Sequence, residues 1–183
     1  MSVVKIVPVL LGVLSLSLQA EEQESSDDGF LIGGGVFSAA NSSCDYSDCA
    51  YSGQYGEVGY DFNNVFGIEA KYVVGENDSD IDLTVSYFGL NIGHDFNTEW
   101  FRLYGKVGYA NIKEEESGES FCNNYWCYYP RSYSSSGATF GIGTRFTFSG
   151  KASGLYLKLE SLAVAFENDT VGAAFAAGLG YRF

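Results

Sequence analysis

The chain has 183 residues, 46% of them hydrophobic, and a formal charge of −13. That length suits one domain, the hydrophobic share excludes a disordered chain, and the acidity argues against a nucleic-acid partner, whose phosphates would be repelled. Fourteen Tyr and 14 Phe beside a single Met, with 23 Gly and two Pro, favour pleated surfaces and tight turns over helices, so an all-β fold is expected.

The first 20 residues read as a secretory signal peptide: Lys5 is the only charge, an apolar run follows from Ile6 to Leu18, and Ala20 precedes an acidic segment. Cleavage after Ala20 removes Lys5 and takes the charge from −13 to −14. Residues 21–28 then form an acidic periplasmic leader and 29–183 the folded domain. No later segment approaches about 20 uninterrupted apolar residues, so no membrane-spanning helix is expected. The first cysteine is Cys44, too far from the cleavage point to carry a lipid anchor.

Eight two-faced runs follow, at about 29–38, 51–62, 65–74, 81–96, 99–113, 136–148, 154–166 and 171–183. The third sets Phe66, Ile68, Ala70, Tyr72 and Val74 against Gly67, Glu69, Lys71 and Val73. In the fourth, the apolar parity switches from Ile81, Leu83, Val85 and Tyr87 to Phe88, Leu90 and Ile92, which predicts a β-bulge near Tyr87. A similar slip is expected in the seventh after Glu160. The eighth alternates throughout, with Val171, Ala173, Phe175, Ala177, Leu179, Tyr181 and Phe183 on one face and Arg182 with the glycines opposite.

The connections alternate in length. Short breaks at Asn63 and Asn64, at Asn97 and Thr98, and around 149–153 are interleaved with longer or more polar ones at 39–50, 75–80, 114–135 and 167–170. That asymmetry is the pattern of transmembrane barrels, with short periplasmic turns and longer extracellular loops. An eight-stranded antiparallel up-and-down transmembrane β-barrel is therefore expected, with both termini on the short-turn side and outer-membrane lipid as its solvent.

Charges within the runs are Glu57, Asp61, Glu69, Asp82 and Glu160 against Lys71, Arg102, Lys106, Arg145, Lys158 and Arg182. All eleven fall opposite the locally apolar face. Five acids and six bases nearly balance, which suits mutual pairing inside a narrow lumen better than a solvated outer surface on so acidic a chain. Glycines share that face, and an eight-stranded barrel is just wide enough for side chains to fill it, so a packed polar interior is expected in place of an open pore. Tyr51, Tyr60, Phe62, Phe66, Tyr72, Tyr181 and Phe183 suit interfacial aromatic girdles.

The cysteines fall as two equally spaced pairs, Cys44 with Cys49 and Cys122 with Cys127. Structural disulfides are expected in an exported chain, with the connectivity open. Zinc favours tighter spacing or added histidines, and the single histidine, His94, is far from both pairs in the chain. His94 also falls beside Asp95 before a short turn, away from the outer surface where a lipid-modifying site would sit, so no catalytic residue, metal or cofactor is expected. The third long loop gathers Phe121, Tyr125, Trp126, Tyr128, Tyr129 and Tyr133, a candidate binding surface or an aromatic cap on the barrel mouth.

Tyr104, Gly105, Lys106, Val107, Gly108 and Tyr109 in the fifth run, Gly59, Tyr60, Asp61 and Phe62 ending the second, and the closing Gly180, Tyr181, Arg182 and Phe183 resemble the small outer-membrane barrels of the OmpX/Ail type and the OmpA membrane domain. The resemblance implies a bacterial outer-membrane location and an assembly signal in Leu179, Tyr181 and Phe183 read by the barrel-insertion machinery. It implies either surface interaction, of the adhesion or host-defence-resistance type with an external protein or cell-surface ligand, or a structural or weakly conducting barrel.

Overall fold

A computed structural model describes residues 28–41, 50–77, 81–94, 96, 100–118, 120–122, 127–148, 153–166 and 171–183. The expected signal peptide, nearly all of the acidic leader, and Cys44 and Cys49 lie outside these residues. The strands are β1 (Gly29–Asn41), β2 (Ala50–Asp61), β3 (Phe66–Asn77), β4 (Ile81–His94), β5 (Phe101–Glu116), β6 (Phe121–Cys122), β7 (Cys127–Tyr128), β8 (Ser132–Thr147), β9 (Gly154–Phe166) and β10 (Val171–Arg182). Eight of them close into one antiparallel barrel in the order β1-β2-β3-β4-β5-β8-β9-β10, while β6 and β7 form a separate hairpin. No helix among the described residues is long and apolar enough to cross a membrane.

Closure joins β1 to β10 from Leu31 opposite Arg182 to Asn41 opposite Gly172, and the Phe183 amide donates to the Phe30 carbonyl at 2.9 Å. Closure leaves no open edge, which is how a sheet satisfies its backbone groups in hydrocarbon. At the short-turn end, Asn63 Oδ1 accepts from the Val65 and Phe66 amides, both at 2.8 Å, so a side chain folds the turn locally.

The lipid-facing belt consists of exposed Phe88, Leu90, Ile92, Val107, Phe140, Ile142, Leu159, Phe175 and Leu179. Aromatics crowd its short-turn end: Trp100 packs on Phe101 and Phe146, Phe30 on Phe183, and Tyr181 on Phe183. Phe62, Phe66, Tyr72, Tyr181 and Phe183 of the expected girdle residues are exposed. Tyr60 is half-buried and its hydroxyl donates to Asp28 at 2.8 Å. Tyr51 departs from the expectation, since it packs inward against the Phe37, Tyr55 and Leu83 cluster and donates to Glu114.

The expected bulge at Tyr87 is not formed. The β3–β4 register runs unbroken from Phe66 opposite Ile92 to Glu76 opposite Asp82, and β4–β5 from Ile81 opposite Glu116 to His94 opposite Leu103. The slip after Glu160 is absent too, because β9 keeps one register with β8 and one with β10 along its length. The parity switch has a different origin. Leu83 and Tyr87 point inward with Gly89 and Asn91, whereas Asp82, Phe88, Leu90 and Ile92 point outward. Toward the long loops the inner wall thus becomes apolar, and on β4 and β5 the outer wall becomes polar, with Asp82, Ser86, Asn111 and Glu115 exposed outside. On this side β4 and β5 continue past the lipid belt with a water-facing outer surface, so their apolar residues belong inside.

Candidate functional site

From the short-turn end upward the interior has three levels. At the lowest, Asp61 at the end of β2 accepts from Arg102 Nη1 at 2.9 Å and Arg145 Nη2 at 2.7 Å, with Arg182 Nε at 3.5 Å. One carboxylate is shared by three guanidiniums drawn from β5, β8 and β10. The fork geometry of Arg suits such sharing, because separate N–H groups reach separate lone pairs.

In the middle level, Glu57, Glu69 and Glu160 interleave with Lys71, Lys106 and Lys158. Lys158 Nζ lies 2.8 Å from both Glu57 and Glu69 and 3.2 Å from Glu160. Lys106 contacts Glu69 and lies 2.6 Å from Glu160, while Lys71 contacts Glu160 and sits 3.1 Å from Glu57. Carboxylate oxygens of the three glutamates all lie within 4.8 Å of one another, spacing a metal ion could exploit. Here three ammonium groups engage those oxygens and neutralise the acids one for one, so the cluster is an ion-pair network in place of a metal centre.

Aromatic and amide groups complete the network. Tyr104 donates to Glu160 at 2.9 Å, Tyr156 to Glu57 at 3.1 Å, and Asn91 to Glu69 at 2.9 Å. Lys71 sits over the Tyr55 ring at 4.8 Å and Lys106 over Tyr87 at 5.1 Å. These interior tyrosines explain the glycines better than the long charged side chains do. A Cβ on Gly143 would strike the Tyr104 ring, on Gly180 the Tyr156 ring, on Gly178 the Tyr55 hydroxyl, and on Gly89 the Tyr87 hydroxyl.

Nine of the eleven charges placed inside by sequence are buried: Glu57, Asp61, Glu69, Lys71, Arg102, Lys106, Arg145, Lys158 and Glu160. Arg182 is half-buried at the lower mouth. Asp82 is the correction: it is exposed on the outer wall and accepts from Ser117 at 3.1 Å. Its neighbours Leu83 and Val85 are apolar because they line the upper lumen, so charge still lies opposite the apolar face there, but the apolar face is the inner one. Tyr55, Tyr87, Tyr104, Tyr156 and Asn91 are the functional residues that charge counting overlooks. Parity is the signal that finds most of them, since Tyr55 is two residues from Glu57, Tyr104 lies between Arg102 and Lys106, and Tyr156 is two from Lys158.

Above the charges lies the apolar level, and beyond it β5 and β8 run out together to Glu115 opposite Ser132. The Glu116 and Arg131 backbones join at 3.0 Å, and the β6–β7 hairpin beyond them is linked by the Cys122–Cys127 disulfide. Of the candidate binding aromatics, Tyr129 and Tyr133 are exposed, with Tyr129 Oη 3.7 Å from Cys122 Sγ. Phe121 and Tyr128 lie in the hairpin strands, and Tyr125 and Trp126 lie outside the described residues. His94 is exposed at the short-turn end, where its ring meets Phe96 edge-on at 5.0 Å. Leu179, Tyr181 and Phe183, expected from the sequence to form an assembly signal, are all exposed on the outer face at the closing strand.

A family model described as the outer membrane protein beta-barrel domain matches residues 9–183. No curated protein matches the chain. Among solved structures, the chain is similar to Ail of Yersinia pestis in complex with the heparin analogue sucrose octasulfate, at 20% identity and a TM-score of 0.55, over 87% of this chain and 100% of that one. It is similar to the N-terminal β-barrel domain of Pseudomonas aeruginosa OprF, at 16% identity and a TM-score of 0.53, over 87% and 100%. Neisserial surface protein A is similar at 11% identity and a TM-score of 0.55, over 88% and 100%.

Proposed function

The chain belongs to the outer membrane protein β-barrel domain family, and from that premise we propose a non-enzymatic surface barrel whose long-loop, extracellular end engages an external protein or cell-surface ligand, in adhesion or in resistance to host defence. The observation that carries this reading is the β6–β7 hairpin. It stands beyond the barrel on the extended β5–β8 pair, is closed by the Cys122–Cys127 disulfide, and has exposed Tyr129 and Tyr133 beside it. A stapled loop spends less ordering entropy on binding, and tyrosines make efficient interface anchors.

The Ail structure holds a sulfated heparin analogue. Here the charge at the extracellular end points to a different ligand class. Asp82, Glu115 and Glu116 surround the base of the hairpin, and the adjacent Lys113 is paired to Glu115 at 2.7 Å. Such a surface repels polyanions and suits a neutral or basic protein face. Replacing residues 121–131 by a short turn is expected to abolish attachment of displaying cells while the barrel still assembles. Unchanged attachment across a panel of host cells and matrix proteins would refute the proposal.

The filled lumen favours a second reading, a structural barrel that occupies and stiffens the membrane, with the lipid and the insertion machinery as its partners. Retained attachment after loop replacement, with loss of envelope integrity only on deletion of the whole chain, selects that reading.

A further inference from the structure

The parity switch in β4 and β9 builds a feature that neither surface attachment nor membrane occupation uses. Above the ion-pair network the lumen holds a cavity of about 120 Å³. Its wall is mostly apolar, with Phe37, Val73, Leu83, Ile112, Leu162 and Val164 drawn from five strands, and its one carboxylate, Glu114, accepts from Tyr51. Small inward residues leave the space open, notably Ala110 on β5 and Ala174 and Ala176 on β10. On β4 and β5 the outer face at this level carries polar Ser86 and Asn111, while the apolar side chains of the cavity wall face the lumen.

The floor is chemically specific. Lys71 lines it, but its ammonium is already matched by Glu57 and Glu160, so the floor asks for no anionic group. Two hydroxyls beside it are underused. Tyr87 Oη and Thr139 Oγ1 are buried, 6% and 1% exposed by residue, and among the described residues neither has a hydrogen-bond partner. A buried hydroxyl with spare capacity costs free energy until a partner arrives. Aromatic rings of Tyr55 and Phe37 flank the same space.

We propose that this upper lumen is a binding site for one small neutral aromatic molecule carrying a hydroxyl, of the phenol class. Size supports it: an apolar cavity of about 150 Å³ in another protein stays dry and takes up benzene. Charge supports it, because the ion pairs below are internally neutralised. The hydroxyl pair supplies the polar recognition that a purely hydrocarbon ligand leaves unused. Such a site gives the surface barrel a chemical-sensing or sequestering role separate from its hairpin.

The test is a 19F NMR titration of 4-fluorophenol into the full-length protein in phosphatidylcholine nanodiscs, with empty nanodiscs subtracted. Saturable one-site binding is expected. Ala174→Phe and Val164→Phe, which fill the cavity from two strands, are expected each to weaken it about tenfold or more. Tyr87→Phe is expected to weaken 4-fluorophenol about fivefold and to leave 4-fluorotoluene unchanged, the cost of one hydrogen bond. Phe175→Ala, on the lipid side beside Ala174, is expected to change neither. Uptake that rises without saturation, or that is the same in a correctly folded filled variant, overturns the proposal. Folding of each variant is checked by its heat-sensitive mobility on gels, and either filled variant suffices.

Discussion

Single residues decide how this interior tolerates so much charge. Asp61 is the acid that Arg102, Arg145 and Arg182 share, with its side chain 2% exposed. Removing one partner of a buried pair leaves uncompensated charge, so Asp61→Ala is expected to cost about 3–5 kcal/mol in urea unfolding from lipid vesicles. Asp82→Ala, on the outer wall, is expected to stay within about 0.5 kcal/mol. An equal loss at both positions would contradict the assignment of faces. Packing is equally local. Gly180→Ala places a Cβ into the Tyr156 ring, whereas Gly56→Ala meets nothing within 4 Å. The first is expected to lower stability by about 1–3 kcal/mol and the second to leave it unchanged, read from the same unfolding curves. At this scale the charges other than Asp82 were legible from period-two parity, and the interior tyrosines were partly so. Tyr87 was not, because it follows Leu83 and Val85 along one face, and only the curved wall shows that this face is the lumen.

Among the elements, the strands were predicted within a few residues, since alternation and turn residues are local signals. Their ends moved outward where it matters: β5 reaches Glu116 and β8 begins at Ser132, several residues into what sequence marks as loop. Polar side chains hide a strand when both faces are wet, and pairing with the neighbour is what extends it. The hairpin this pair holds is expected to be independent of the barrel below. Cys122→Ser is therefore expected to leave the unfolding midpoint of the barrel unchanged while speeding protease cleavage between residues 117 and 131, followed on intact membranes. A matching drop in barrel stability would tie the hairpin to the wall.

For the whole molecule, three interior levels follow from one closed wall that crosses two solvents. Within the lipid belt the lumen is charged and crowded, and nearer the long loops it is apolar. Crossed ion pairs of Glu57, Glu69 and Glu160 with Lys71, Lys106 and Lys158 block the path. Planar-bilayer recordings of the purified protein are accordingly expected to show no discrete channel openings, and a stable ohmic conductance would refute the plugged lumen. Alternation, loop asymmetry and the closing aromatic strand are written in the order of residues, so the sequence by itself determined an eight-stranded antiparallel barrel with a charged interior. Register, the inversion of faces along β4 and β9, and the cavity above the charges were decided by tertiary structure alone. The physical reason is that period two assigns residues to two faces but does not say which face is inside, and that depends on whether lipid or water surrounds the wall at each height.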